Sequence, residues 1–138
     1  MTYKLMISEY AYSDNSMRAW LEVDAFGIPF RPRYVPMRSA EYSEALANHV
    51  PAASLPVLST DQDGNGLIWE GAAVADILAD RHADAGLWPR SPETREMARA
   101  LAVRARTNFS SLQALPMNLH ARYQGFVPSG AQQEDADA

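Results

Sequence analysis

Short apolar runs with the spacing of strands alternate along this chain with stretches spaced as helices, and the order of that alternation limits the folds open to it. "YKLMI", Tyr3 to Ile7, reads as a short buried strand. The polar, turn-like "SEYAYSDNS" follows. Met17, Trp20, Leu21 and Val23 then fall on one helical face between Asn15 and Phe26. Ser13, Asp14 and Asn15 each carry the side-chain acceptor that caps a helix start. Gly27 fits the stop of that helix, and Pro29 prevents its continuation. "PFRPRYV" reads as a second strand, assigned to a sheet edge because Pro29 and Pro32 cannot donate to a ladder. "SAEYSEALANH" reads as a short helix, "LPVLST" and "GLIWE" as strands, and "GAAVADILADRHA" as a helix with Val74, Ile77 and Leu78 on its apolar face.

The order is therefore strand, helix, strand, helix, strand, strand, helix. A βαβ unit followed by ββα places the chain in the α/β class with a thioredoxin-like arrangement, one mixed sheet carrying helices on both faces. "DAGLWPRSPE", with two prolines, a glycine and a tryptophan, reads as a linker. A long helix is predicted after it, with Ser91 as cap and Pro92 in first position. Its apolar stripe includes Leu101, Phe109 and Leu112, and it is expected to run to about Ala114 before Pro116 ends it. Beyond Pro128, "SGAQQEDADA" has no aromatic or large aliphatic residue and is expected to be disordered. The predicted organisation is an N-terminal domain over 1–83, a linker over 84–91, a partial helical domain over 92–127 and a tail over 128–138.

Charge and composition remove several function classes. The net charge is −5 with acids and bases interspersed, so no basic face for nucleic acid is visible. The chain has no cysteine, which excludes disulfides, thiolate metal sites and a cysteine nucleophile. Any thiol chemistry must use a thiol that the substrate brings. No apolar run approaches a membrane span, and "MTYKLMISEY" lacks the basic start and apolar core of a signal peptide. A cytoplasmic protein with no membrane partner is the expectation. His49, His82 and His120 are too far apart to make a ligand motif, and no metal is expected. Trp20, Trp69 and Trp88 are assigned to packing, and Arg18, Arg99 and Arg104 to surface or inter-helix ion pairs.

"STDQDGNGLIWEGAA", residues 59–73, permits two readings. Asp61, Asp63, Asn65 and Gly66 stand where a calcium loop of the EF-hand type has ligands and its turn glycine. Such a loop also needs an acid at its twelfth position, which here is Ala72, and a helix before it, where "LPVLST" reads as strand. A hairpin turn uses the same residues more simply, because Asp and Asn tolerate left-handed backbone and Gly64 and Gly66 supply it. The hairpin is the expectation.

Taken together, several segments resemble the glutathione S-transferase family. "LPVLSTDQDGNGLIWEGAAVADILADRHADAGLWP" is similar to the second half of that family's N-terminal domain, with Leu55-Pro56-Val57-Leu58, Trp69-Glu70-Gly71 and Leu87-Trp88-Pro89 at the motif positions. "YSDNSMRAWLEVDAFGIPF" resembles its first-helix segment, in a zeta-like form. "PETREMARAL" and "LPMN" resemble the start of the C-terminal domain in a bacterial branch with a serine active site. The resemblance covers about residues 3–120. It implies a thioredoxin-like domain followed by the first helix or two of an all-α domain, with glutathione as co-substrate, a small electrophile as second substrate and a homodimer as assembly.

The resemblance also implies site residues. Ser13 matches the family's first serine and would donate to the glutathione thiolate as catalytic residue; Tyr12 and Ser16 are rival hydroxyls, and the ordinary role of a serine here is a helix cap. Pro56 would follow a cis bond and let Leu55 present its backbone to the cysteinyl part of glutathione. Glu70 would hold the γ-glutamyl ammonium, and the N–H of Gly71 its carboxylate. Gly71 stands where the family has a serine, and one lost hydrogen bond to a charged group weakens binding by roughly 1.5–3 kcal/mol. Asp14 would oppose thiolate formation if its carboxylate pointed inward. Two functions follow: a transferase that activates glutathione for conjugation or isomerisation of an electrophile, or a non-catalytic binding and interaction module of the same fold, kept for protein association, with weakened glutathione binding. The chain holds about one and a half helices of the family's C-terminal bundle: it is either a fragment of a longer protein or naturally short, and if short, the apolar face of the long helix is expected to need a cover, most simply a second subunit.

Overall fold

Tyr3, Leu5 and Ile7 alternate with Lys4 and Met6, so the two faces of the first strand bury different sets of residues, and the molecule is organised around that alternation. The computed structural model describes residues 2–48, 54–60 and 67–138. Both the calcium reading and the hairpin reading of 61–66 therefore lie outside the described residues, as does His49. The elements are β1 (Tyr3–Ile7), α1 (Asp14–Asp24), β2 (Phe30–Tyr34), α2 (Ala40–Ala47), β3 (Val57–Thr60), β4 (Leu67–Trp69) and α3 (Gly71–Arg81), then a 3₁₀ turn (Ala83–Ala85), α4 (Pro92–Thr107), α5 (Ser110–Gln113) and α6 (Gly130–Asp137). The four strands form one sheet in the order β2-β1-β3-β4, with β1 and β2 parallel and β3 antiparallel to both β1 and β4. This is the expected thioredoxin-like arrangement, followed by helices.

On one face Tyr3, Leu5 and Ile7 meet Ala19 and Val23 of α1 and Val74 and Leu78 of α3, all of them buried. Each large aliphatic among them contributes about 1.5–3 kcal/mol by leaving water. The Tyr3 hydroxyl bonds His82 Nε2 at 2.9 Å, which ties the start of the sheet to the end of α3. On the other face Met6 and Val57 pack with Val35, Leu55 and Ala45 of α2.

The inward face of α1 differs from the expected one: Ser16, Ala19 and Val23 are buried and Leu21 is exposed. A serine can occupy that face because its hydroxyl finds partners there. Gly27, with φ of 63°, accepts the left-handed backbone that ends this helix segment, and the N–H of Ile28 returns to the Val23 carbonyl.

Strand β2 is an edge strand. The bonds from Tyr3 N–H to the Pro29 carbonyl and from Val35 N–H to the Ile7 carbonyl turn residues 29, 31, 33 and 35 toward β1. Pro32 therefore faces outward, where its missing N–H blunts the edge against a further strand.

The chain divides into two compact units, Met1–Leu87 and Trp88–Ala138. In the second, Ser91 caps α4 and Pro92 opens it, and Arg95 holds the preceding turn through the Pro89 and Arg90 carbonyls, each at 2.9 Å. The Arg99 guanidinium lies 5.5 Å from the centre of the Trp88 ring. The helix expected to reach Ala114 stops at Thr107. Asn108 is its C-cap, and the Gln113 amide donates to the last-turn carbonyls of Ala105 and Arg106, groups that a helix end leaves unpaired. Leu101 of the expected apolar stripe is exposed. Where the sequence reading expects a disordered tail there is a helix, α6. Ser129 and Gln132 form its capping box, and Asp135 accepts the N–H groups of Ser111 and Leu112 at 2.8 and 3.3 Å. Local capping orders a segment that has no apolar face to bury.

Candidate functional site

Register gathers the expected site segments at one end of the sheet. Met6 pairs with Val57 and Val57 with Trp69, so β1 and β4 end, and β3 begins, in adjacent rows. The loop to Ser13 leaves from β1, Leu55 and Pro56 enter β3, and Glu70 leaves β4. Helices α1 and α3 both start from these connections, so two positive helix ends are built at the same edge of the sheet.

Ser13 is the N-cap of α1. Its backbone is extended, with φ of −129°, its Oγ accepts the Ser16 N–H at 3.3 Å, and its hydroxyl donates to Ser16 Oγ at 3.1 Å. Ser16 is fully buried and its Oγ also accepts the Ser8 N–H at 3.0 Å. The three serines thus join the loop after β1 to the first turn of α1. Ser8 Oγ is buried and has no hydrogen-bond partner. The loop is held further by the N–H groups of Tyr12 and Ser13 on the Glu9 carbonyl, and by Glu9 Oε2, which accepts the Met37 N–H at 3.1 Å. Tyr12, the rival hydroxyl, is half exposed.

Asp14 does not face the site from inside. Its exposed carboxylate pairs with Arg18 one turn along the same helix, and Arg18 also reaches Asn15 Oδ1 at 3.0 Å. An exposed i, i+4 pair contributes only about 0.3–0.5 kcal/mol, but it directs the negative charge outward.

Leu55 and Pro56 are buried and the bond between them is cis, the isomer the resemblance implies. Glu70 has φ of 69° and ψ of 114°, a left-handed backbone that costs a non-glycine residue of order 1–3 kcal/mol. Its carbonyl accepts the N–H groups of Ala73 and Val74, while no side chain caps α3. The Gly71 and Ala72 amides therefore have no intrahelical acceptor. Among the described residues the Glu70 carboxylate has no hydrogen-bond or ion-pair partner. Gly71 is buried as the first residue of α3.

Features that sequence reasoning missed also lie near this end. Tyr10 stacks on Trp20 at 5.7 Å between ring centres and leans on Tyr34 at 6.3 Å. Arg38, just before the α2 cap Ser39, has φ of 60°. The spacing of Ser13 and Ser16, three residues apart across a helix start, was the readable signal for the serine network. Nothing in local residue identity marks the backbone of Arg38 or Glu70. No group of three or more metal-ligating residues stands together among the described residues, and no helix there is long and apolar enough to cross a membrane.

Comparison with known proteins bears on this geometry. The family model described as glutathione S-transferase, N-terminal domain, matches residues 12–81, just over half of the chain. No curated protein sequence matches. Among solved structures, a diazinon-metabolizing glutathione S-transferase of the silkworm Bombyx mori superposes with a TM-score of 0.75 at 20% identity, covering 99% of this chain and 64% of that one. A glutathione transferase homolog from Burkholderia with bound glutathione gives 0.65 at 24% identity, covering 82% and 58%. The yeast prion protein Ure2p in complex with glutathione gives 0.71 at 14% identity, covering 99% and 57%. At these identities the likeness is one of fold, and the chain spans less than two thirds of each of these structures.

Proposed function

This chain belongs to the glutathione S-transferase family, and from that premise we propose that the sheet end carrying Ser13, Leu55–Pro56 and Glu70–Gly71 binds glutathione and activates its thiol for attack on a small electrophile. The observation that carries this reading is the start of α3. Glu70 is held in a strained backbone, its carboxylate unpartnered among the described residues, beside two amides that lack intrahelical acceptors. A ligand with an ammonium and a carboxylate on one carbon, as the γ-glutamyl end of glutathione has, satisfies both. Leu55 then offers its backbone to the cysteinyl segment, which brings the thiol toward Ser13.

The thiolate is the attacking species, so the site must favour it over the thiol. Ser13 supplies a hydroxyl donor and α1 a positive helix end. Without ligand that hydroxyl donates to Ser16 Oγ. Turning it to the sulfur leaves Ser16 Oγ still accepting the Ser8 N–H, so no buried acceptor is orphaned. Ser13 Oγ continues to accept the Ser16 N–H, which polarises the hydroxyl as a donor.

A second reading, a module that binds glutathione weakly without transferring it, is favoured by Gly71, which has no hydroxyl to add to the amides. Calorimetric titration with glutathione, paired with thiol transfer to a chlorinated dinitrobenzene and to an α,β-unsaturated carbonyl, decides between them. Binding with turnover supports the enzyme, and binding without turnover supports the module. Absence of binding at millimolar glutathione would sink the enzyme reading and leave only a module kept for protein association.

A further inference from the structure

Helix α2 covers only part of its face of the sheet. Beyond it lies a hollow of about 250 Å³ with Met6 and Val57 in its lining and Lys4, Arg31 and Arg33 around them. The register explains the gathering: Lys4 pairs with Arg31 and Met6 with Arg33, so the three cations project from one face of two adjacent strands. Like charges directly opposite each other in a sheet repel. Arg33 offsets this with Glu41 of α2 at 3.3 Å, both side chains being about half exposed. Arg31 has no carboxylate partner among the described residues. Lys4 has contacts of its own, so the case rests on the two arginines.

We propose that this hollow is a binding site for a small organic phosphate, a phosphate monoester carrying a compact apolar or aromatic group. Charge complementarity selects the headgroup. Arg31 and Arg33 stand two residues apart on one face of the strand, a spacing of about 7 Å that lets two guanidinium forks approach one phosphate from two sides. A phosphate monoester is close to a dianion at neutral pH and presents three terminal acceptor oxygens, enough for both forks, where a carboxylate presents two. Met6 and Val57 floor the hollow and Pro32 completes its apolar lining, so the remainder of the ligand meets apolar groups, which an ester group with apolar surface matches. A peptide strand is a poorer occupant, since Pro32 denies the β2 edge one of the donors that strand addition needs. The hollow shares no lining residue with the proposed glutathione site, so the two are tested separately.

Amide-resolved NMR titration of the full chain with phenyl phosphate at low ionic strength tests this. Saturable shifts at residues 4, 31, 33 and 57 are expected, with phenol giving none and benzoate binding more weakly. Arg31→Gln should weaken binding about tenfold or more; Arg31→Lys, which keeps charge but loses the fork, should fall between. Arg90→Gln, remote from the hollow, should bind like the wild type. The proposal is overturned by absence of saturable shifts, by unchanged affinity in Arg31→Gln, or by competition from glutathione, which would place the phosphate at the other site. Inorganic phosphate binding as tightly as the ester would overturn the apolar part of the assignment.

Discussion

Helices α1 and α3 start at the same end of the sheet, yet one start is closed and the other open. At α1 a side chain caps the start: Ser13 takes the Ser16 amide and donates a hydrogen bond to Ser16 Oγ, and Ser16 Oγ takes an amide from the loop. At α3 no side chain caps, the residue in the cap position is strained, and its carboxylate has no described partner. A closed start holds a hydroxyl in place. Both starts leave their first two amides without an intrahelical acceptor; the open one adds a charge for something else to satisfy, and strain of this kind persists where function maintains it. On the proposed function the difference separates positioning of a reacting group at α1 from ligand recognition at α3, and substitutions at each should fail in different ways.

The largest effect is expected at the closed start. Ser13→Ala removes the donor to the thiolate and should lower the thiol-transfer rate by about a hundredfold, the scale of losing one charge-stabilising donor. Glutathione affinity should change little, because Ser13 makes no contact with the γ-glutamyl end in this reading. The same substitution removes a cap and should cost about 1 kcal/mol of stability, readable in denaturant unfolding. An unchanged rate would leave Ser13 as a cap and nothing more.

At the open start the expected pattern is reversed. Glu70→Gly relieves the left-handed backbone and should stabilise the protein by about 1 kcal/mol, while weakening glutathione binding about tenfold or more through loss of the ammonium partner. Gain of stability with loss of binding is the signature of strain kept for a ligand. Loss of both would mean that the Glu70 side chain supports the fold. Gly71→Ser tests the same start from the other side. It supplies a hydroxyl beside the Gly71 and Ala72 amides and should tighten binding about tenfold. No tightening would mean the carboxylate does not rest on this helix end.

How much of this was legible follows from where the information sits. The order of strands and helices is written in short-range spacing, and the cap at Ser91 with Pro92 behind it is written in two residues. The bond before Pro56 is cis, as the motif around it implied. Ser13 was legible as a cap on its own and as a candidate catalyst only by resemblance. Four features were not legible. Ser16 is buried although polar, because its partners come from the loop after β1 rather than from its own helix. The stop at Thr107 depends on Gln113 returning to carbonyls seven and eight positions earlier. Helix α6 is ordered by capping and by Asp135 reaching α5, which hydrophobic periodicity cannot report. The strain at Glu70 arises because the chain must leave β4 and enter α3 at that residue, so its signal lies in the connection and not in the glutamate.

The smallest expected effect gives the comparison its control. Helix α4 starts as α1 does, with a serine cap whose Oγ takes the Thr94 N–H at 3.4 Å, but it has no part in the proposed site. Its cap hydroxyl donates to the Glu93 carboxylate at 2.6 Å, and that bond, followed by Glu93's own backbone N–H, holds the carboxyl below the ordinary glutamate value. A depressed carboxyl favours the folded state above the unfolded value, and that contribution is lost as pH falls through the lower, folded value. Ser91→Ala should therefore move the Glu93 titration, followed by carboxyl NMR, back up toward an ordinary glutamate, and it should cost cap stability on the scale of Ser13→Ala. It should leave glutathione binding and thiol transfer untouched. If Ser91→Ala also slowed transfer, loss of a helix cap alone would account for the Ser13 result, and the assignment of a thiolate donor at α1 would fall.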